Sequence, residues 1–436
     1  MSLKTFLVSR IADRITSAET LAAKRDSAER RRLKAGEPHV VHYFHQADDP
    51  YSHLAAQVLP LLLERYDIVL KPHLVGPPPD WAAPDRARLE SYSRTDAERL
   101  GARAGLSFRD PGVQPRTEAV EAAQRALAQA IAEGRFPDEA ADIGAALWFD
   151  SDINAPAKPA GEALAEGDAL RARLGHYLGA TFHYGGEWYW GPDRLHYLEE
   201  RLAELGARKD DAPVSPIYAQ PELPSPGAAP SVSVLRPDLH FFLSFRSPYT
   251  YIATQRVKAL ADAMGAELKL RFVLPMVMRG MQVPAAKRSY ITLDAAREAR
   301  RNAVPFGRIA DPLGRPVERG YSLLPWAIDQ GRGYDYCLAF MRSVWSKGVD
   351  AGSDAGMRSI VEDAGLDWSE ARTRIDNPDW RAEADANRKE MFAGGVWGVP
   401  SFRVGEVCAW GQDRLWVIAD ALKTHARVET RPSEET

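Results

Sequence analysis

A short apolar run over 239–243, apolar residues at helical spacing over 249–264 and alternation over 267–273 predict strand, helix, strand. Helical spacing continues over 287–302, 323–331, 334–347, 355–364 and 379–392. Two short runs, 401–404 and 406–409, flank Gly405 and predict a hairpin, with a helix from Asp413. The first half of the chain carries the same order of patterns, shortened between Trp148 and Gly175. Residues 1–36 set Leu7, Ile11, Ile15 and Leu21 at roughly helical spacing and include the charged run Glu29-Arg30-Arg31-Arg32. They predict a solvated helical extension packed on the body. Residues 211–237 are rich in Pro, Ser and Ala without helical period, so an extended linker is expected there.

The similarity of the two halves extends to individual residues. YFHQADDPYSHLA at 43–55 matches FFLSFRSPYTYIA at 241–253, with Asp49-Pro50-Tyr51 over Ser247-Pro248-Tyr249 at an offset of 198 (247 − 49). The offset holds onward to Asp96 over Asp294, Arg99 over Arg297 and Phe108 over Phe306. Near each end, Trp190-Gly191-Pro192-Asp193-Arg194-Leu195 matches Trp410-Gly411-Gln412-Asp413-Arg414-Leu415. The chain therefore divides into an extension at 1–36, a first copy at 37–208, a linker at 209–237, a second copy at 238–425 and a disordered tail at 426–436.

A length of 436 residues accommodates two domains of ordinary size. A net charge of −4 offers no electrostatic case for nucleic acid or a membrane surface. Cys337 and Cys408 are the two cysteines, without a CxxC pair, so neither a disulfide framework nor a dithiol redox site is encoded. No apolar run approaches the ~20 residues of a membrane span. No signal-type apolar core is present near the start, and cytoplasmic residence is the default expectation. His39, His42 and His45 cannot all face one side of a strand, so no metal site is expected.

The chemistry concentrates where the first strand of each copy meets its helix. Ser247-Pro248 is a good N-cap with proline at the first helical position, and capping alone accounts for it. Asp49-Pro50 is an equally good cap. The two are not chemically equivalent. A hydroxyl at a helix start can donate to an anion, whereas a carboxylate at ~4 Å repels one by a few kcal/mol at an effective dielectric near 20. The second copy could hold a thiolate or carboxylate here, and the first should not. A further element, Gly398-Val399-Pro400-Ser401-Phe402, brings a proline into a strand; its counterpart is Leu178-Gly179-Ala180-Thr181-Phe182. Cis geometry at Val399-Pro400 is a minority outcome on sequence alone.

On FRSPYTYIA at 245–253, PAAKRSYITLDAAREARRNAVPF at 284–306, WGVPSF at 397–402 and WGQDRL at 410–415, the second copy resembles a known group. That group is the 2-hydroxychromene-2-carboxylate isomerases and kappa-class glutathione transferases, within the DsbA-like thioredoxin superfamily. The resemblance implies an α/β fold of two tandem thioredoxin-like domains, each with an inserted all-helical subdomain. It implies glutathione as cofactor, with Ser247 favouring its thiolate and Val399, before Pro400, pairing backbone groups with the cysteinyl unit. Gln412 and Asp413 would hold the γ-glutamyl group, and Lys287 would approach the glycine end. In the first copy Asp49, Leu89, Ala180 and Pro192 stand at four of these places, so glutathione is not expected there.

The leading expectation is a glutathione-dependent isomerase or transferase acting on an electrophilic, aromatic-derived small molecule, with its site in the second copy. A tandem of such domains would imitate the dimer expected of single-domain relatives. The alternative is a non-catalytic binding or scaffold protein with a retired thioredoxin-type fold. Disulfide exchange is disfavoured, because Asp49 and Ser247 stand where a redox pair would begin.

Overall fold

The computed structural model describes residues 3–224 and 236–429. The middle of the expected linker, 225–235, and the end of the expected tail, 430–436, lie outside them. The fold has two units. One comprises Ala22–Gln220 together with Val283–Tyr290; the other comprises Met1–Leu21, Pro221–Gln282 and Ile291–Thr436. They are called here the N-terminal and C-terminal units.

Each unit holds one four-stranded sheet. In the N-terminal unit β1 (Val40–His45), β2 (Val69–Leu74), β3 (Thr181–Tyr184) and β4 (Glu187–Trp190) lie in the order β2-β1-β3-β4. In the C-terminal unit β5 (Asp238–Leu243), β6 (Glu267–Phe272), β7 (Ser401–Val404) and β8 (Val407–Trp410) lie in the order β6-β5-β7-β8. The first pair of each sheet is parallel and the others are antiparallel. Register is conserved residue by residue: Val40 pairs with Val69, and Asp238 with Glu267. Thr181 pairs with Trp190, and Ser401 with Trp410.

The offset between the sheets is 198 at the first strands (238 − 40) and 220 at the third (401 − 181). Two helices of the C-terminal unit, Asp354–Asp363 and Trp368–Ala371, have no counterpart in the other unit and fill that difference. The remaining inserted helices correspond in order. Arg86–Ala104, Thr117–Ala132, Phe136–Trp148 and Gly161–Arg173 match Ala285–Arg301, Arg315–Asp329, Gly333–Arg342 and Trp380–Ala393.

Pleating sets Leu239, Phe241 and Leu243 of DLHFFL on one face, where they enter the main core of their unit, and the opposite face of the strand is buried too. Phe241 stacks on Phe402 with ring centroids 5.4 Å apart, and Tyr43 meets Phe182 at 4.8 Å in the other sheet. The helix Pro248–Met264 stops at Gly265, whose φ of 68° is a left-handed cap that a side chain would resist. The extension forms two helices, Leu3–Thr16 and Ala18–Ala35, and the second buries no residue. The last helix, Leu415–Glu429, runs on into the first residues of the expected tail. Among the described residues no helix is long and apolar enough to cross a membrane.

Candidate functional site

In the C-terminal unit β5 feeds the helix Pro248–Met264 through Ser247, whose backbone is extended (φ −99°, ψ 116°) as a cap requires. Its Oγ accepts the Thr250 N–H at 3.1 Å. The same hydroxyl donates to the Val399 carbonyl at 3.4 Å, long for an O–H···O bond. The Val399–Pro400 peptide is cis. The Pro400 carbonyl accepts from Gly411 N–H at 2.9 Å, which ties the proline to the turn preceding Gln412. Ser247, Val399, Pro400 and the start of the last helix thus form one junction. Beside it, Trp397 and Trp410 pack with centroids 5.1 Å apart. A Cβ on Gly398 would lie 2.4 Å from the Trp410 indole, so glycine is required there.

Proline brings no N–H, and this has a local consequence. Thr250 is fully buried, and its Oγ1 has no hydrogen-bond partner. At the same place in the N-terminal unit stands Ser52, whose Oγ accepts Ala180 N–H at 2.9 Å and Gln46 N–H at 3.2 Å. Ser52 also donates to Asp49 at 2.8 Å. The Asp49 carboxylate caps its helix by accepting from Tyr51 and Ser52 N–H at 3.3 and 3.1 Å. Burial pushes its pKa up to about 6 against the pull of those donors. A Cβ on Gly179 would sit 2.7 Å from Gln46 and 3.3 Å from the Asp49 carboxylate, so this junction is filled by its own side chains.

Gln412 is 2% exposed and held on both ends of its amide. Nε2 donates to Glu298 at 2.6 Å, while Oε1 and, at 3.0 Å, the Gln412 backbone carbonyl accept from Arg256. Asp413 is half-buried, with a carboxylate oxygen 3.4 Å from the Arg414 guanidinium. Arg256 and Glu298 are site components that motif reading missed. A signal for them did exist: at offset 198 they stand over Val58 and Leu100, and at offset 220 Gln412 stands over Pro192, all apolar. Lys287 groups with the N-terminal unit, whereas the junction residues belong to the C-terminal one. There its Nζ donates to the Ala82 carbonyl at 3.3 Å, and burial lowers its pKa.

Several shared features serve the fold. Tyr249 donates to Asp294 at 2.8 Å, and Tyr51 donates to Asp96 at the same distance. Cys337 and Cys408 are both buried free thiols, and burial pushes the Cys337 thiol well up. The strand histidines are separately engaged: His39 with the Tyr184 hydroxyl, His42 with His73, and His45 with the Tyr43 hydroxyl.

A parallel strand pair, a cis-proline entering an antiparallel hairpin, and a helical insertion define a DsbA-like thioredoxin domain. The DSBA-like thioredoxin domain family matches residues 238–423, in the C-terminal half of the chain. Within that class it is similar to 2-hydroxychromene-2-carboxylate isomerases. One, from Sphingobium xenophagum, is 26% identical over 193 residues, covering 41% of this chain and 93% of the relative. A solved 2-hydroxychromene-2-carboxylate isomerase is 22% identical with a TM-score of 0.39, covering 44% of this chain and 97% of that one. A solved cytosolic disulfide reductase, DsbM from Pseudomonas aeruginosa with GSH, is 17% identical with a TM-score of 0.33, covering 45% of this chain and all of that one.

Proposed function

We propose that the C-terminal unit is a glutathione-dependent isomerase or transferase acting on an electrophilic aromatic-derived carboxylate. The observation that carries this reading is the junction itself. The Ser247 hydroxyl already accepts its capping N–H and spends its proton on a long 3.4 Å contact beside cis-Pro400, with the unpartnered Thr250 hydroxyl one helical turn away. A stronger acceptor would replace the Val399 carbonyl at small cost. An anion also gains from the helix start. These residues fit a thiolate. Ser247 would donate to the sulfur, the Val399 backbone would align the peptide portion, and Gln412 and Asp413 would face the γ-glutamyl end. The Arg256–Gln412–Glu298 set would hold that helix start rigid.

Bound glutathione would supply a nucleophilic sulfur that adds reversibly to an electron-poor double bond. The protein's part is to lower the thiol pKa from ~8.5, so that more thiolate exists at neutral pH. We further propose that the two halves are a tandem duplication, and that the N-terminal copy has lost glutathione binding. Asp49 and Gln46 against Gly179, and Ala180 in place of proline, support that reading.

The test is calorimetry with millimolar glutathione on the full chain, together with turnover of 2-hydroxychromene-2-carboxylate followed by absorbance. Binding at a single site and glutathione-dependent turnover are expected. Absence of binding would favour the non-catalytic scaffold reading instead.

A further inference from the structure

Arg279, in the C-terminal unit, has no acidic partner among the described residues. Parallel β5 and β6 end together: Val273 N–H donates to the Leu243 carbonyl at 2.9 Å, and the Tyr321 hydroxyl donates to the Val273 carbonyl at 2.8 Å. From Leu243 the chain runs to Ser247. From Val273 it runs to the single 3-10 turn Met276–Arg279, closed by Gly280 at φ 84°. Both segments leave the sheet at its carboxyl edge, where open α/β sheets take their ligands.

Arg279 is half-buried, with its guanidinium 5.9 Å from the centre of the Phe392 ring. Its Nε is enclosed without a partner, and no acceptor among the described residues takes a hydrogen bond from it. The charge acting on it is Arg388, of the same sign, which is itself paired with Asp385 at 2.5 Å and lies 5.4 Å from the same ring. Burial, then that neighbour, lower the Arg279 pKa. Phe392 lies in the last turn of the helix Trp380–Ala393, from which the chain continues to Val399 and the cis-proline.

A half-buried guanidinium without an acid is costly to the protein alone, because desolvation is not offset by any attraction. A planar carboxylate offset against a flat ring would supply both missing interactions, since the guanidinium fork matches it in two parallel bonds. The N-terminal unit lacks every part: Trp81 stands under Arg279 at offset 198, and Asp168 and Ala172 stand under Arg388 and Phe392 at offset 220.

We infer that Arg279 is a substrate-binding residue that takes the carboxylate of an aromatic carboxylate, with Phe392 as the apolar wall beside it. This rests on the isomerase or transferase reading for its chemistry, but its test does not. Calorimetry on the full chain would compare trans-cinnamate, the neutral cinnamyl alcohol and glutathione as separate ligands. Arg279→Met is expected to weaken cinnamate about 10- to 100-fold and to leave the alcohol and glutathione within about threefold, as for loss of a charge-assisted bond. Low-millimolar guanidinium chloride should restore part of the loss, and Arg279→Lys, melting as wild type, should fall between. In turnover, KM should rise while kcat stays within a few-fold.

Unchanged cinnamate affinity in Arg279→Met, or no cinnamate binding by wild type, would overturn the assignment. Loss of glutathione affinity with cinnamate intact would also overturn it, moving Arg279 to the cofactor's own carboxylate. Arg279-dependent cinnamate binding without glutathione binding would sink the glutathione reading and leave this one standing.

Discussion

Replacing Ser247 separates capping from chemistry, because the N-terminal unit shows what a pure cap looks like. Ser247→Ala removes one capping bond, at 3.1 Å, and one long contact, at 3.4 Å. The cap is worth about 1 kcal/mol and the long contact little, so the unit should melt about 2–4 °C lower. If the hydroxyl also donates to a thiolate, its loss removes a charge-assisted bond of about 1.5–3 kcal/mol. The pKa of bound glutathione then rises by about 1–2 units.

Ser247→Asp copies Asp49 and leaves the cap intact, so stability should hold within about 0.5 kcal/mol. A carboxylate ~4 Å from a thiolate opposes it by about 4 kcal/mol at an effective dielectric near 20, roughly a thousandfold in affinity. The introduced carboxyl should titrate high, as Asp49 does at about 6, so the penalty should shrink below that pH. Thiolate ultraviolet absorbance of the complex against pH, beside thermal melts, reads both effects. Equal, less-than-threefold changes in affinity for the two variants, with the melts as stated, would reduce Ser247 to a cap and refute the argument.

Two further outcomes follow from residues already described. Ser52→Ala strands the Gln46 and Ala180 amides and should cost about 2–4 kcal/mol in urea unfolding, whereas Thr250→Val at the equivalent place removes an unpartnered hydroxyl and should stay within about 1 kcal/mol of wild type. Equal costs would refute the contrast drawn between proline and alanine at this junction. Glu199 is buried, accepts from Ile217 N–H on both oxygens at 3.1 and 3.0 Å, and has a pKa pushed up to about 7 by burial. A raised carboxyl favours the folded state below its unfolded pKa, near 4.3, and loses that advantage as pH rises through about 7. Glu199→Gln should therefore gain on wild type as pH rises from about 4 to about 7, and parallel stability–pH curves over that range would contradict this.

The strand–helix–strand openings were legible because pleat and helix periods differ sharply, and β7 falls on the residues that the hairpin signal around Gly405 marked. The junction was legible because Ser247 and Asp49 differ in chemistry while sharing a fold role. The cis bond at Pro400 was not, since it depends on the hairpin and the turn that receive the proline. Thr250 and Ser52 are near-identical in type yet opposite in role; the difference lies in whether residue 400 or 180 has an N–H to give. Arg256 and Glu298 escaped notice because their link to Gln412 spans 156 and 114 residues. Lys287 shows the limit of a local pattern. Its helix is readable, but which body the helix start joins is decided by packing far away in sequence.

The partition of the chain bears on any attempt to dissect it. Each unit includes a piece from the other half of the sequence: Met1–Leu21 belongs with the C-terminal body, and Val283–Tyr290 with the N-terminal one. A scissile site engineered into the linker would therefore divide the polypeptide without dividing it along its bodies. Neither fragment would carry a full complement of its own packing. Such fragments should behave as a split protein, weak apart and restored by co-expression.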